Sequence, residues 1–483
     1  MNTELSCARQ TVDLAGAQSR SDPIFDGFGN DLEIGGSQLG VEFPARPQQI
    51  DHVAGERGLR NNPQRWGVRD EIWPRVRNRD GARARALNPG SSANPARATK
   101  PRQKDPPESQ AHCVRLRRMI HALTGLRFVA ALWVVLFHLR LRVPDYDMGW
   151  GRRLNWGPID GIFWWGHHGV EVFFILSGFV MSLSHRQDFS LRIERGSYFR
   201  YILMRFGRVF PLHLTLLLYL VVMVSADVIE RRSPMNDGLA LQLTLTQSWV
   251  PSSMFSDLTW NMPAWSVSAE WAAYLIFPFL ARAMAMIHWT PNRVTLAALA
   301  LLVPYYATFE GKNLPWHLGE MAMLRIATGF GIGMLTYEVY RQGWTKNLSW
   351  NYVPGFLIYL AVAYAWTPQL SKVTIVVLAA LFILALASSN GAVTKVLGHR
   401  IMVYLGGISY GVYLVHYPLF LTISRTAEPL CQWLGTSAHR WQLNIAAAIL
   451  IAVLLLLSSL LYHVVEKPAR HFFRRLALAI RVG

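Results

Sequence analysis

The sequence predicts an all-α fold: a polytopic membrane helical bundle of about ten transmembrane helices, preceded by a disordered N-terminal segment. Three observations lead there. Hydrophobic residues make up 52% of the 483, and mean hydropathy is positive even though the chain opens on a long polar stretch. Apolar runs long enough to cross a bilayer recur through the rest of the chain. Basic residues gather between those runs and bring the net charge to +18. In a soluble protein such a charge would point to nucleic acid. Set between apolar spans it points to anionic membrane lipid as partner, and no nucleic acid is expected.

Residues 1–118 differ in composition from the rest of the chain. They are rich in Arg, Pro, Gly, Asn and Ser, lack sustained periodicity and read as a disordered basic extension. Met119 stands immediately before the first span, so the working protein is expected to begin near it; a basic arm touching lipid or a partner is the competing reading. Residues 119–475 form the expected membrane domain, and 476–483 a short cytoplasmic tail. Cys7, Cys113 and Cys431 show neither metal-ligand spacing nor pairing, and His167-His168 lack carboxylate or thiol company, so no metal site is expected.

The first span, LTGLRFVAALWVVLFHLRLRV from Leu123 to Val143, carries Arg127 and His138 inside its apolar run. A guanidinium in the middle of a spanning helix costs about 2.5–3.5 kcal/mol even on the lenient insertion scale. Eleven helical steps leave a residual rotation of about 20°, so both side chains project from one stripe, about 16 Å apart along the axis. Ala131 and Val134 lie between them on that stripe. Taken singly, the arginine fits a headgroup anchor and the histidine a satisfied core residue. Together they point to a functional hollow inside the bundle.

A Trp-rich polar loop comes next, then the second span, GVEVFFILSGFVMSLSH at 169–185, opened by Glu171. Gly178 allows another helix or a ligand to approach closely. Ser177 lies outside any GxSxG elbow, so it reads as packing or a substrate contact rather than a nucleophile. A basic loop at 186–208 leads to a third span at about 210–228, and a fourth begins near 264. There Glu270 comes after Trp265 and Ser266 and needs a cationic partner, Arg127 or a protonated histidine; charge pairing and substrate positioning both fit. Further spans are expected near 293–308, 319–340, 352–367, 372–389, 401–424 and 441–464. The basic 186–208 loop and the Lys467–Arg475 tail place both termini in the cytoplasm, although Arg140, Arg142, Arg152 and Arg153 argue the other way.

Arg205 and Arg208, in RFGRVFPLH, fit inner-leaflet anchoring on their own; grouped with Arg127 they form a cationic entry suited to phosphate. His416, in SYGVYLVHYP, fits either a proton relay or a hydrogen-bonded structural histidine. A neutral histidine in a membrane cavity can deprotonate a hydroxyl for attack on an acyl carbonyl. The pattern therefore suggests acyl transfer, and a proton-coupled secondary transporter also uses intramembrane His, Arg and Glu.

In several blocks, in order over roughly 119–475, the chain resembles the acyltransferase-3 family of integral-membrane O-acyltransferases, which includes bacterial polysaccharide O-acetylases and macrolide acyltransferases. Arg127 and His138 match its Arg-x10-His hallmark. GVEVFFILSGFV, RFGRVFPLH, NMPAWSVSAEWAAYLIFP, ISYGVYLVHYPLF and VVEKPAR are similar to its later blocks, with Trp271 where the fourth often has a second acid. The resemblance implies a bacterial inner-membrane enzyme with no permanently bound cofactor. Acyl-CoA (acetyl-CoA) would be its donor, and a glycan or other extracytoplasmic hydroxyl, or a macrolide-like small molecule, its acceptor. His138 would be the general base, Arg127, Arg205 and Arg208 would hold the donor, and Glu270 would organise the site. Glu171, Ser177, Trp265 and His416 are further expected substrate contacts. The soluble esterase-like domain that some relatives carry is not expected here.

Overall fold

The computed structural model describes residues 108–140, 154, 160–229, 238–251, 260–310, 319–345, 350–366 and 372–480. The expected disordered extension lies outside the described residues up to 107, as do the last three residues of the expected tail. Among the described residues the regular structure is helical, with no strand. In chain order the helices are α1 (Glu108–Arg140), α2 (Asp160–Trp164) running through a 3-10 turn (Trp165–His168) into α3 (Gly169–Phe189), α4 (Arg195–Ser225), α5 (Leu239–Thr244), α6 (Ala264–Met286), α7 (Pro291–Phe309), α8 (Gly319–Gln342), α9 (Val353–Trp366), α10 (Lys372–Ser388), α11 (Ala392–Leu397), α12 (Arg400–Gly407), α13 (Ser409–Thr426), α14 (Glu428–Thr436) and α15 (Arg440–Leu461). A π-helical turn (Tyr462–Glu466) then joins α15 to α16 (Lys467–Ala479).

Among the described residues, four helical stretches are long and apolar enough to cross a membrane by length and composition: Val114–Arg140, Gly161–Phe189, Arg195–Ser225 and Arg440–Ala479. The expected ten segments all fall on helices, but this criterion does not establish a count of ten. Three boundaries differ from the sequence expectation. Helix α1 begins at Glu108, so 108–118 are helical where the sequence reading expects disorder. Residues 195–208 continue the third span as the first half of α4 instead of forming a loop, because Tyr201, Arg205 and Val209 recur at helical spacing and are buried. The expected 401–424 span is broken at Ile408 into α12 and α13, just after the Gly406-Gly407 pair.

Helix α1 runs through the middle of the packing. Its first half shares an apolar cluster with α3, α7, α8 and α10 (Leu123, Phe179, Tyr305, Leu335, Ile383), and its second half shares another with α4, α6, α13 and α15 (Val135, Leu216, Phe277, Leu414, Leu454). Helices α3 and α8 make the most extensive pairing of all. Glycine permits it: a Cβ on Gly178 would lie 2.1 Å from the Phe330 carbonyl oxygen, and one on Gly333 equally close to that of Ile175. Each helix thus presses a glycine against the other's backbone, the small-residue contact that dispersion between membrane helices favours. The π-helical turn places Glu466 at 1% exposure, where Arg470 Nη2 donates to its Oε2 at 2.8 Å.

Gly178→Ala is expected to force α3 and α8 apart and cost about 1–3 kcal/mol, the range for overpacking a filled interior. A thermal unfolding midpoint in detergent unchanged from the parent protein would contradict this.

Candidate functional site

Helix α6 supplies Ser266, Glu270 and Tyr274 at four-residue intervals, the spacing that stacks side chains on one face. α3 contributes Phe173 and Ser177, α4 Arg205 and Arg208, α13 Tyr410 and Tyr413, and α1 Arg127; together they line one cavity. It leaves about 70 Å³ for the centres of water-sized molecules. One water needs about 10–15 Å³ on such a measure, so the space suits a few waters or one small charged group.

Glu270 anchors the hydrogen bonding of the cavity. Ser177 Oγ donates to its Oε1, and the Tyr274 hydroxyl donates to the same oxygen at 2.6 Å. Across the cavity the hydroxyls of Ser266 and Tyr413 are 2.7 Å apart, and each lies 3.1 Å from the Pro263 carbonyl. Three arginines face one glutamate in the lining. Guanidinium groups only donate hydrogen bonds, and their planar forks match phosphate or carboxylate. Arg205 is buried at 2% exposure, with its guanidinium carbon 5.8 Å from the Tyr201 ring centre and 5.9 Å from that of Tyr274.

His138 is not in that lining. Its Nδ1 lies 2.9 Å from the Val134 carbonyl oxygen. A carbonyl only accepts, so Nδ1 carries the proton and Nε2 keeps the lone pair. The His138 ring is 5.0 Å from that of His416, whose own ring is 6.0 Å from Tyr413. His416 is fully buried, and its nitrogens approach the backbone of Val412 and Tyr413 without hydrogen-bond geometry. The expectation that Arg127 and His138 open onto one hollow is therefore corrected. Ala131 and Val134, between them, are 0% and 1% exposed because the start of α3 closes over the stripe. A Cβ on Gly169 would sit 2.6 Å from the Ala130 carbonyl and 2.8 Å from Val134 Cγ2. The two residues share a helix face but have separate surroundings, connected through His416 and Tyr413.

Glu171 and Trp265 lie outside the cavity lining as well. Arg325 Nε donates to Glu171 Oε1 at 2.8 Å, and the Tyr305 hydroxyl reaches the same oxygen at 3.3 Å. His168 Nδ1 is 3.5 Å from Glu171 Oε2, and the Arg325 guanidinium sits 4.7 Å over the Trp265 ring. Both expected contacts thus belong to a buried ion-pair cluster.

Comparison with known proteins gives this geometry its context. The family model described as an acyltransferase domain, acyltransferase-3, matches residues 120–464. The chain belongs to the acyltransferase-3 family. The acyltransferase MdmB of Streptomyces mycarofaciens is 30% identical to it over 384 residues, covering 73% of this chain and 92% of that one. A protein named as a putative peptidoglycan O-acetyltransferase, YrhL of Bacillus subtilis (strain 168), is 22% identical over 397 residues, 74% of this chain and 56% of that one. No solved structure matches the chain.

In this acyltransferase the cavity gathers five of the nine residues singled out from the sequence: Arg127, Ser177, Arg205, Arg208 and Glu270. His138, Glu171, Trp265 and His416 lie outside its lining. Sequence reasoning missed Arg325, Tyr274 and His185. Arg325 carried a legible signal, an arginine inside the apolar run of α8, to which the cost argument used for Arg127 applies equally. Tyr274, four residues after Glu270, was legible from spacing alone.

Arg325→Met strands the Glu171 carboxylate in the interior and is expected to cost about 3–5 kcal/mol, whereas pairing it with Glu171→Leu recovers much of the loss. Unfolding of the single and double variants in detergent checks this. A double variant no more stable than the single would show that the cluster is not a simple ion pair.

Proposed function

We propose that this acyltransferase moves an acyl group, acetyl in the simplest case, from acyl-CoA to a hydroxyl of a carbohydrate-containing acceptor such as an extracytoplasmic glycan. The observation that carries this reading is the convergence of Arg127, Arg205 and Arg208 on one cavity inside an apolar helical body. That lining suits a phosphate of the donor. The cavity is partly open and leaves about 70 Å³ for the centres of water-sized molecules. It therefore takes one charged group, with the rest of the donor outside. The relative named as a peptidoglycan O-acetyltransferase supports a glycan hydroxyl as acceptor and acetyl as cargo. The four membrane-length apolar stretches support a membrane location, and this reading takes the membrane to be the bacterial cytoplasmic one, with further helices in the bundle and both termini on the cytoplasmic side.

In this reading His138 Nε2 takes the proton of the acceptor hydroxyl, whose oxygen attacks the thioester carbonyl. The C–O bond forms as the C–S bond breaks, and the imidazolium returns its proton to the departing thiolate. The Val134 carbonyl holds the imidazole in the tautomer this requires. Glu270, fixed by Ser177 and Tyr274, offsets part of the cavity's positive charge. Tyr413 and His416 lie between the cavity and His138, so in this reading the acyl end of the donor extends from the cavity past those rings to reach the base.

Purified protein incubated with acetyl-labelled acetyl-CoA and a glycan acceptor tests the proposal. His138→Ala is expected to fold normally and to lose transfer by about 10²–10⁴-fold, the usual contribution of a general base. Transfer retained in that variant removes His138 from the mechanism. Arg127→Lys keeps the charge but loses the planar fork, so donor KM is expected to rise about tenfold or more. A donor KM equal to that of the parent protein would count against the phosphate role.

A further inference from the structure

Of the cavity arginines, Arg205 has a backing that the acyl-transfer mechanism does not use. Its Nη2 lies 3.1 Å from Nε2 of His185, and Nδ1 of the same imidazole is 3.0 Å from Oδ2 of Asp188. His185 is 1% exposed and Asp188 14% at the side chain, so the ring is inside and the carboxylate at the rim. Both residues sit in the last turn of α3, three positions apart, and Arg205 reaches them from α4.

Donor and acceptor chemistry fixes the proton. A guanidinium has N–H groups and no lone pair to offer, so the imidazole nitrogen facing it must be the bare one. That is Nε2. The proton is then on Nδ1, where the Asp188 carboxylate accepts it. An imidazolium in this place would set N–H against N–H and cation against cation. The Tyr201 ring meets the His185 ring edge-on at 5.3 Å and also lies under the Arg205 guanidinium, so the plane of the imidazole is held as well as its tautomer. The arrangement is that of a carboxylate orienting a metal-binding histidine, with a guanidinium where the metal would be.

We propose that Asp188 and His185 are positioning residues: a carboxylate–imidazole brace that holds the Arg205 guanidinium in the cavity before donor arrives and so sets donor affinity. An arginine side chain otherwise gives up several rotatable bonds when it binds an anion, and ordering it beforehand removes that loss from the binding step. This inference rests on the assignment of donor phosphate to the cavity.

The test is steady-state transfer from acetyl-CoA by the full-length protein. His185→Leu removes the imidazole acceptor from Arg205; donor KM is expected to rise about tenfold with kcat and acceptor KM unchanged, the signature of lost ground-state binding. His185→Gln restores a side-chain carbonyl that can accept from Arg205 and is expected to bring donor KM back most of the way. Asp188→Ala, at the rim and tolerable to the fold, is expected to raise donor KM about threefold by releasing the tautomer. Added to Arg205→Ala, either change is expected to have no further effect on donor KM. Arg205→Ala with raised donor KM beside His185→Leu and Asp188→Ala with unchanged donor KM overturns the brace. Arg205→Ala with unchanged donor KM overturns the donor assignment instead. In that case the 15N shifts of His185 in histidine-labelled protein decide the brace: Nδ1 protonated and Nε2 bare supports it, and the opposite tautomer refutes it.

Discussion

Moving a guanidinium from water into an apolar helical body is the constraint to which the rest of the structure answers. The loss of hydration is recovered only where acceptors or anions face the N–H groups. Two buried pairs meet it in the ordinary way, Arg325 on Glu171 and Arg470 on Glu466. The cavity gathers its cations differently: Arg127, Arg205 and Arg208 line one space together with Glu270, which accepts hydrogen bonds from Ser177 and Tyr274. Guanidinium groups brought together around a space, rather than each set on its own glutamate, suit the binding of an anionic group there.

Helix α3 ties these regions together. Its first residue, Gly169, closes over the α1 stripe, and Gly178 receives the backbone of α8. Glu171 takes the Arg325 ion pair, Ser177 reaches the cavity carboxylate, and His185 supports a cavity arginine from the last turn. Because a single rigid element carries all of these contacts, the spacing between the histidine end of α1 and the arginine end is set by how α3 sits against α1 and α8. The separation of His138 from the cavity is a result of that seating.

What the sequence disclosed was local. The stripe shared by Arg127 and His138 comes from helical spacing and the cost of intramembrane charge, and the grouping of Arg127 with Arg205 and Arg208 from their common type. The close approach at Gly178 was legible because a missing Cβ permits it. What remained hidden was set by distant parts of the chain. Helical spacing says that two side chains leave one face, not that Gly169 will cover the interval between them. Glu171 announced a buried carboxylate, but its partner lies 154 residues away on α8. Trp265 looked like a companion of Glu270 and is instead the platform under Arg325, since neighbours on a helix need not share surroundings. Reading 186–208 as a loop gave its many arginines too much weight against the apolar residues spaced among them.

The wide turn between α15 and α16 has a consequence for the shape of that long rod. Along it Leu454, Ser458, Tyr462 and Glu466 are all buried, always four residues apart, while Leu456, Leu460 and Val464 are exposed. On a regular α-helix a repeat of four overshoots each turn by about 40°, so such a series would spiral away from the protein interior within a few turns. A turn closed one residue later absorbs the overshoot. The rod therefore keeps a single inward edge along this stretch and brings a carboxylate to the far end of that edge.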